Sequence, residues 1–329
     1  MKTLVKTAFI TIVVLIIVYT LGPRLKSPVF SQDIGEVSNI SNIESYVSNI
    51  EQRHQLKPGN EAEIVWIDSA KQQTEYAVVY LHGFSASKQE GNPVHLNFAK
   101  SINANLYLAR LADHGIDTIA PMQYFTADRL WESAKQAFAI GKVLGKKVIL
   151  IGTSTGGSLA LQLAANYPEI HGLILLSPNI EIVGTGVSLL NDPWGLQIGR
   201  LVTGGNERIV KGKSDEYKKY WYTNYRVESI VQLEEFVEKT MVSSTFQNVK
   251  QPTLVLYYYK NEKEQDNVVK VKPILKMFAQ LGTPNQSKEK YAIPNAGHHV
   301  IGSYITSKDL TTVHKSISDF YGKHLSNTK

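Results

Sequence analysis

A chain of 329 residues has room for one large α/β domain or two small ones, and a composition of 43% hydrophobic and 19% charged residues is that of an ordinary globular protein. The absence of cysteine excludes disulfides, a cysteine nucleophile, thiolate metal ligands and a lipidated N-terminal cysteine. The formal charge is +6, but Lys2, Lys6, Arg24 and Lys26, with no acid among residues 1–26, supply +4 of it; the remaining +2 gives no reason to expect a nucleic-acid partner.

Between Lys6 and Arg24 lies an apolar run, Ala8 to Tyr19, within the 17 residues Thr7–Pro23. That length is at the short end of a bilayer span and slightly beyond a signal-peptide core. No small-x-small cleavage site follows closely; Val29-Phe30-Ser31 lies far past the apolar core. Residues 1–26 are therefore expected to be a membrane anchor, with the rest of the chain exported. A secreted or periplasmic protein after signal cleavage is the alternative, and a cytoplasmic domain a third. Basic residues flank both ends, so the charge rule does not orient the segment.

Residues 27–60 are polar, with Ile40, Ile43, Val47 and Ile50 at helical spacing, and read as a spacer with one amphipathic helix ended by Lys57-Pro58-Gly59-Asn60. From residue 61 onward, β-rich runs alternate with helical patterns. The runs are Ile64–Ile67, Tyr76–Leu81, Asn105–Ala109, Lys147–Ile151, Gly172–Ser177, Thr253–Tyr259 and Lys290–Ile293. The helical patterns lie at about 94–103, 127–144, 156–167, 227–241, 270–281 and 307–325. Such alternation predicts an α/β fold with a mostly parallel sheet and helices on both faces, in which functional groups gather at the carboxyl ends of the strands. The interval from Ser177 to Thr253 is too long for one crossover. It holds Tyr217, Tyr220, Trp221, Tyr222 and Tyr225, and about 179–250 reads either as an insertion packed on its own aromatics or as a cap lining an apolar acyl pocket.

The stretch Gly152-Thr153-Ser154-Thr155-Gly156-Gly157 follows the apolar run Val148–Ile151 and opens a helical pattern. Strand, tight turn, serine, helix is the setting in which a serine is held out as a nucleophile. A serine hydroxyl needs a histidine to take its proton and a carboxylate to orient that histidine. Of nine histidines, only His82 and the pair His298/His299 directly follow strands. His82, in Leu81-His82-Gly83-Phe84, suits a turn that offers the Phe84 N–H, with that of Thr155, to a carbonyl oxygen developing negative charge. The base is then His298 or His299. Gly297-His298 matches a generic pattern, whereas His299-Val300-Ile301 favours the second histidine on the resemblance below. The carboxylate is expected in the loop after Tyr259, where Asp266, just before Val268-Val269, is preferred over Glu262 and Glu264 at a charged loop tip.

Leu81-His82-Gly83-Phe84, Arg110-Leu111-Ala112-Asp113-His114-Gly115, the Ser154 turn, Asp266-Asn267-Val268-Val269 and Gly297-His298-His299-Val300-Ile301 together resemble the α/β-hydrolases. Within that superfamily they are similar to small bacterial carboxylesterases and monoacylglycerol lipases, over about residues 75–325. The resemblance implies an α/β-hydrolase domain over 61–329 with an inserted cap. It also implies ester hydrolysis through an acyl-enzyme by Ser154, Asp266 and His299, with Phe84 and Thr155 as oxyanion donors, no metal and no organic cofactor. Arg110 and His114 are then parts of a structural loop. Amide, peptide or thioester hydrolysis on the same residues, and a membrane-tethered binding protein that has lost catalysis, are the alternatives.

Overall fold

The structure, a computed structural model, describes residues 2–326. Met1 and residues 327–329, the outermost ends of the expected anchor and hydrolase domain, lie outside the described residues. The strands in chain order are β1 (Glu63–Val65), β2 (Thr74–Leu81), β3 (Asn105–Leu108), β4 (Gly145–Thr153), β5 (Gly172–Leu176), β6 (Glu207–Ile209), β7 (Asn224–Arg226), β8 (Thr253–Tyr257) and β9 (Lys288–Ala292). Seven of them form one sheet in the order β1-β3-β2-β4-β5-β8-β9; β6 and β7 pair as a separate antiparallel ribbon. Within the large sheet only the β1–β3 pair is antiparallel. Each expected strand is present, with boundaries moved by a few residues.

Side-chain alternation divides the core into two layers. On β2 and β4, Ala77, Val79, Leu81, Val148 and Leu150 face one side, where the helices Ala127–Leu144 and Thr155–Asn166 cover them. Tyr76, Val78, Tyr80, Ile149 and Ile151 face the other, under the helices Val94–Ser101 and Leu310–Phe320. Strands buried on both faces are apolar throughout, and each fully buried aliphatic side chain contributes about 1.5–3 kcal/mol. Parallel pairing aligns Leu81 with Gly152 and Thr153 with Leu176, so the segments after β2, β4, β5, β8 and β9 leave at one edge.

Residues 27–60 form the helix Ile43–Glu51, and the stretch before it lies along the domain. The Trp131 indole donates to the Ser31 carbonyl (2.7 Å), the Tyr167 hydroxyl to that of Gln32 (2.8 Å) and Lys135 Nζ to that of Asp33 (2.6 Å). The interval after β5 carries the helices Gly195–Thr203, Asp215–Tyr220, Val227–Thr240 and Ser243–Asn248 and the β6–β7 ribbon. At the N-terminus, Lys2–Thr20 is helical, with Leu4, Phe9, Ile12, Leu15, Ile16 and Val18 all exposed. Its carboxyl end meets Trp194, whose indole donates to the Val18 carbonyl (3.0 Å). Among the described residues no helix is long and apolar enough to cross a membrane, so the expected span is not found in them.

Candidate active site

Ser154 stands between β4 and the helix Thr155–Asn166 with φ +53° and ψ −119°, a conformation that residues with a side chain rarely adopt. The strain is held by hydrogen bonds within the turn and to the end of β5 and the segment after it. Ser154 N–H donates to the Leu176 carbonyl (2.9 Å), and its carbonyl accepts from Gly157 (2.9 Å) and Asn179 (3.0 Å). Gly156 is required for proximity: a Cβ there would fall on the Leu81 carbonyl oxygen, well inside contact distance. The helix thus starts hard against the end of β2, which brings the Ser154 turn beside the His82–Phe84 turn.

His299 and Asp266 arrive from the other side. His299 and Asp266 are each 4% exposed, and His299 Nδ1–H donates to Asp266 Oδ2 at 2.6 Å. Asp266 Oδ1 accepts the N–H groups of Val268 (2.8 Å) and Val269 (3.0 Å), and Val269 is fully buried, which fixes the carboxylate. Burial pushes the Asp266 carboxyl up; the His299 charge and these hydrogen bonds outweigh it and hold the group below the ordinary carboxylate range. Burial lowers the His299 imidazole, but the charge and hydrogen bond of Asp266, with a smaller contribution from Glu90, leave it above the ordinary histidine value. His299 Nε2 is buried and has no hydrogen-bond partner among the described residues. His298 is turned differently: its Nδ1 accepts the Val300 N–H (3.0 Å), and burial, the His299 charge and Lys213 lower it to about 4. Glu262 and Glu264 sit exposed at the loop tip, where Glu264 pairs with Lys260 (3.0 Å).

The turn after β2 is braced on every side. His82 Nε2 accepts the Leu111 N–H (3.1 Å), so the proton is on Nδ1, which donates to the Gly83 carbonyl (2.8 Å). Burial and the neighbouring His114 and Arg110 hold His82 well below the ordinary histidine value and neutral. The Ser85 N–H donates to His114 Nε2 (3.0 Å), and the Ser85 carbonyl accepts from Tyr222 (2.8 Å). Arg110, in a two-pronged pair with Glu51 (2.8 and 2.9 Å), donates to the His114 carbonyl (3.1 Å). The Arg110–Gly115 loop therefore supports the Phe84 turn from behind. Thr155 is the first residue of its helix, so its N–H has no acceptor within that helix.

Ser154, Thr155, Phe84 and His299 line one cavity of about 1060 Å³, together with His298. Its far walls are Ile182, Leu190, Ile198 and Val202 before the β6–β7 ribbon and Tyr217, Trp221, Tyr225 and Ile230 around and after it. The aromatic cluster does two things: Tyr217 and Trp221 stack on each other (ring centroids 4.4 Å) and also face the cavity. One cavity residue was not anticipated from the sequence. Glu90, 2% exposed, accepts the Gly83 N–H and lies beside Ser154. Its only signal in the chain is an acid within a few residues of the Leu81-His82-Gly83-Phe84 turn. Among the described residues no group of three or more histidine or acidic side chains is arranged to hold a metal ion.

A serine on a strained turn, a buried imidazole–carboxylate pair and two backbone amides on a common apolar cavity are the parts required for acyl transfer. Comparison with solved structures finds the same fold in lipolytic enzymes. A structure from work on LipS and LipT, two metagenome-derived lipolytic enzymes, is 20% identical, covering 82% of this chain and 100% of its own (TM-score 0.65). The monoacylglycerol lipase of Paleococcus ferrophilus is 14% identical over 79% of this chain and 98% of its own (TM-score 0.55). A soluble variant of Saccharomyces cerevisiae monoglyceride lipase is 16% identical over 80% and 92% (TM-score 0.54). At these identities the likeness is one of fold. No curated protein matches the chain in sequence. A family model does, over residues 78–304, from the middle of β2 to beyond His299, and by that match the chain belongs to the alpha/beta hydrolase family.

Proposed function

We propose that this protein is a serine hydrolase of carboxylic esters, an esterase or lipase acting through an acyl-enzyme. The observation that carries the reading is the buried His299–Asp266 pair, with Nε2 unpartnered and His299 lining the same cavity as Ser154 on its strained turn. Ser154 Oγ attacks the ester carbonyl carbon as His299 Nε2 takes its proton. Phe84 and Thr155 N–H hold the oxyanion, and Asp266 holds the imidazolium. Collapse expels the alcohol, which takes the proton back from His299. Water, deprotonated by the same histidine, then releases the acid and regenerates Ser154.

An ester with an apolar acyl chain is supported by the cavity lining of Ile182, Leu190, Ile198, Val202 and Ile230, and by the lipases and monoacylglycerol lipases whose fold the chain shares. Residues of about 179–250 act as the cap over that chain, on a hydrolase domain of 61–329. A fluorophosphonate probe tests the reading: it labels the folded protein and fails to label Ser154→Ala. Folded wild-type protein that takes no label would sink the proposal. p-Nitrophenyl esters from C2 to C16 sort esterase from lipase. Turnover of amide or thioester substrates in preference to all of these would move the assignment to the other acyl transfers.

Membrane association through Lys2–Thr20 belongs to the same proposal, with the catalytic domain extracytoplasmic, or secreted or periplasmic once the segment is cleaved. It is supported by the exposed apolar side chains from Leu4 to Tyr19. Fractionation with carbonate extraction tests it. Recovery of uncleaved protein wholly in the soluble fraction overturns it.

A further inference from the structure

Glu90 lies in the one-turn 3-10 segment Lys88–Gly91 between β2 and the helix Val94–Ser101. Its carboxyl is inside the cavity wall, accepting the Gly83 N–H, with Trp221 lining the same cavity. A Cβ built on Gly83 would lie 2.9 Å from both carboxyl oxygens and 3.0 Å from Ser154 Cβ, so a side chain there would have to push the Glu90 carboxyl or Ser154 aside. A buried carboxyl costs several kcal/mol unless it is well partnered, and the reaction scheme above gives this one no work.

What surrounds Glu90 assigns it a role. The titratable groups facing it are Tyr80 of β2, Tyr217 of the cap helix Asp215–Tyr220 and His299 of the loop after β9. Lys88, on its own segment, is turned to Glu61 (3.0 Å) and Glu63 (2.7 Å). Among these neighbours the one that can offer a positive charge is His299, and it does so when it has taken the Ser154 proton. An interaction that becomes favourable only as the transition state is approached raises turnover rather than ground-state binding.

We propose, on the reading of Ser154 and His299 given above, that Glu90 is a positioning residue: its carboxyl holds the Gly83 N–H so that the next amide, Phe84, faces the reacting carbonyl, and its negative charge supports the imidazolium formed on His299. Burial, only partly offset by the Gly83 hydrogen bond and the His299 charge, leaves Glu90 raised to about 7, so the two groups influence each other's titration. The same coupling raises His299.

Three variants test the proposal, after wild-type labelling and ester turnover have tested the underlying function. Glu90→Gln keeps an acceptor for Gly83 and removes the charge. Its kcat above neutral pH falls about tenfold with KM little changed, as the support for the imidazolium is lost, while the acidic limb of kcat/KM moves to lower pH and loses its two-step shape. Glu90→Ala frees the Gly83 turn, and kcat falls about 100-fold with KM little changed, the scale expected for a displaced catalytic donor. Glu90→Asp, with the charge but a shorter reach, lies between them and keeps the wild-type acidic limb. A Glu90→Gln limb that coincides with wild type overturns the proposal even if melting temperature drops, since a packing role does not move a pH profile. Full kcat in Glu90→Ala overturns it too. An inactive, unlabelled wild type would instead remove the function on which it rests.

Discussion

At Ser154 and His299 the proposed chemistry rests on backbone strain and buried charge. Ser154 holds a positive φ at the start of its helix, and the hydrogen bond to Asp266 fixes the His299 proton on Nδ1, leaving Nε2 unpartnered. Ser154→Ala and His299→Ala are each expected to lower kcat by 1,000-fold or more, whereas His298→Ala stays within about tenfold, because His298 Nδ1 is occupied by the Val300 amide. Asp266→Asn keeps an oxygen for Val268 and Val269 but releases the tautomer; a loss of about 10,000-fold in kcat with an unchanged melting curve is the expected result. The pH dependence follows from His299. In the proposed mechanism the base works neutral; burial lowers the His299 imidazole but Asp266 and Glu90 raise it further, so kcat/KM is expected to fall on acidification from a point above the ordinary histidine value of about 6.5. A pH–rate profile with its acidic limb below that value contradicts the assignment. At this scale the strand–turn–helix setting of Ser154 was legible because its flanking glycines and strand context travel together in the chain. Glu90 was not, because its burial comes from Tyr80, Trp221 and Gly83 meeting around it.

Among the elements, the β2–β4 alignment and the helix that follows Ser154 carry the geometry. Gly156→Ala sets a methyl against the Leu81 carbonyl and is expected to cost about 1–3 kcal/mol in denaturant unfolding, with loss of activity ahead of loss of fold as the Ser154 and Phe84 turns separate. The Arg110–Glu51 pair joins the helix Ile43–Glu51 to the loop behind the Phe84 turn, and both partners are largely buried. Removing the acid in Glu51→Ala leaves a buried guanidinium, a change of about 3–5 kcal/mol measurable by the same unfolding curves. Helix and strand positions were readable from periodicity, since each element's apolar face had to match the sheet. The ends were less so: the expected helix 307–325 stops as Leu310–Phe320 and continues as a wider turn, Tyr321–Leu325. Phe320 and Leu325, both buried and five apart, satisfy that turn, and the spacing looks helical until the core they enter is known.

For the whole molecule, the decisive feature is that the segment after β5 closes one cavity with the strand ends. Its helix Val227–Thr240 presents Ile230 to the cavity and buries Phe236 and Val237 in the domain below, so cap and body share a core. Ile230→Trp is expected to cut turnover of C8 and longer p-nitrophenyl esters by about tenfold or more while C2 turnover persists, because added bulk takes the acyl chain's space and leaves the reacting centre alone. Equal losses for short and long esters would place the substrate elsewhere. The alternation of β-rich and helical runs, the order of Ser154, Asp266 and His299 along the chain, and the absence of cysteine chemistry were determined by the sequence itself, because each depends on local pattern and residue type. Which faces of residues 179–250 line the cavity, how His298 and His299 are turned, and the placing of Glu90 against Gly83 were decided only by the tertiary structure. These depend on contacts between segments far apart in the chain, whose energies no local pattern records.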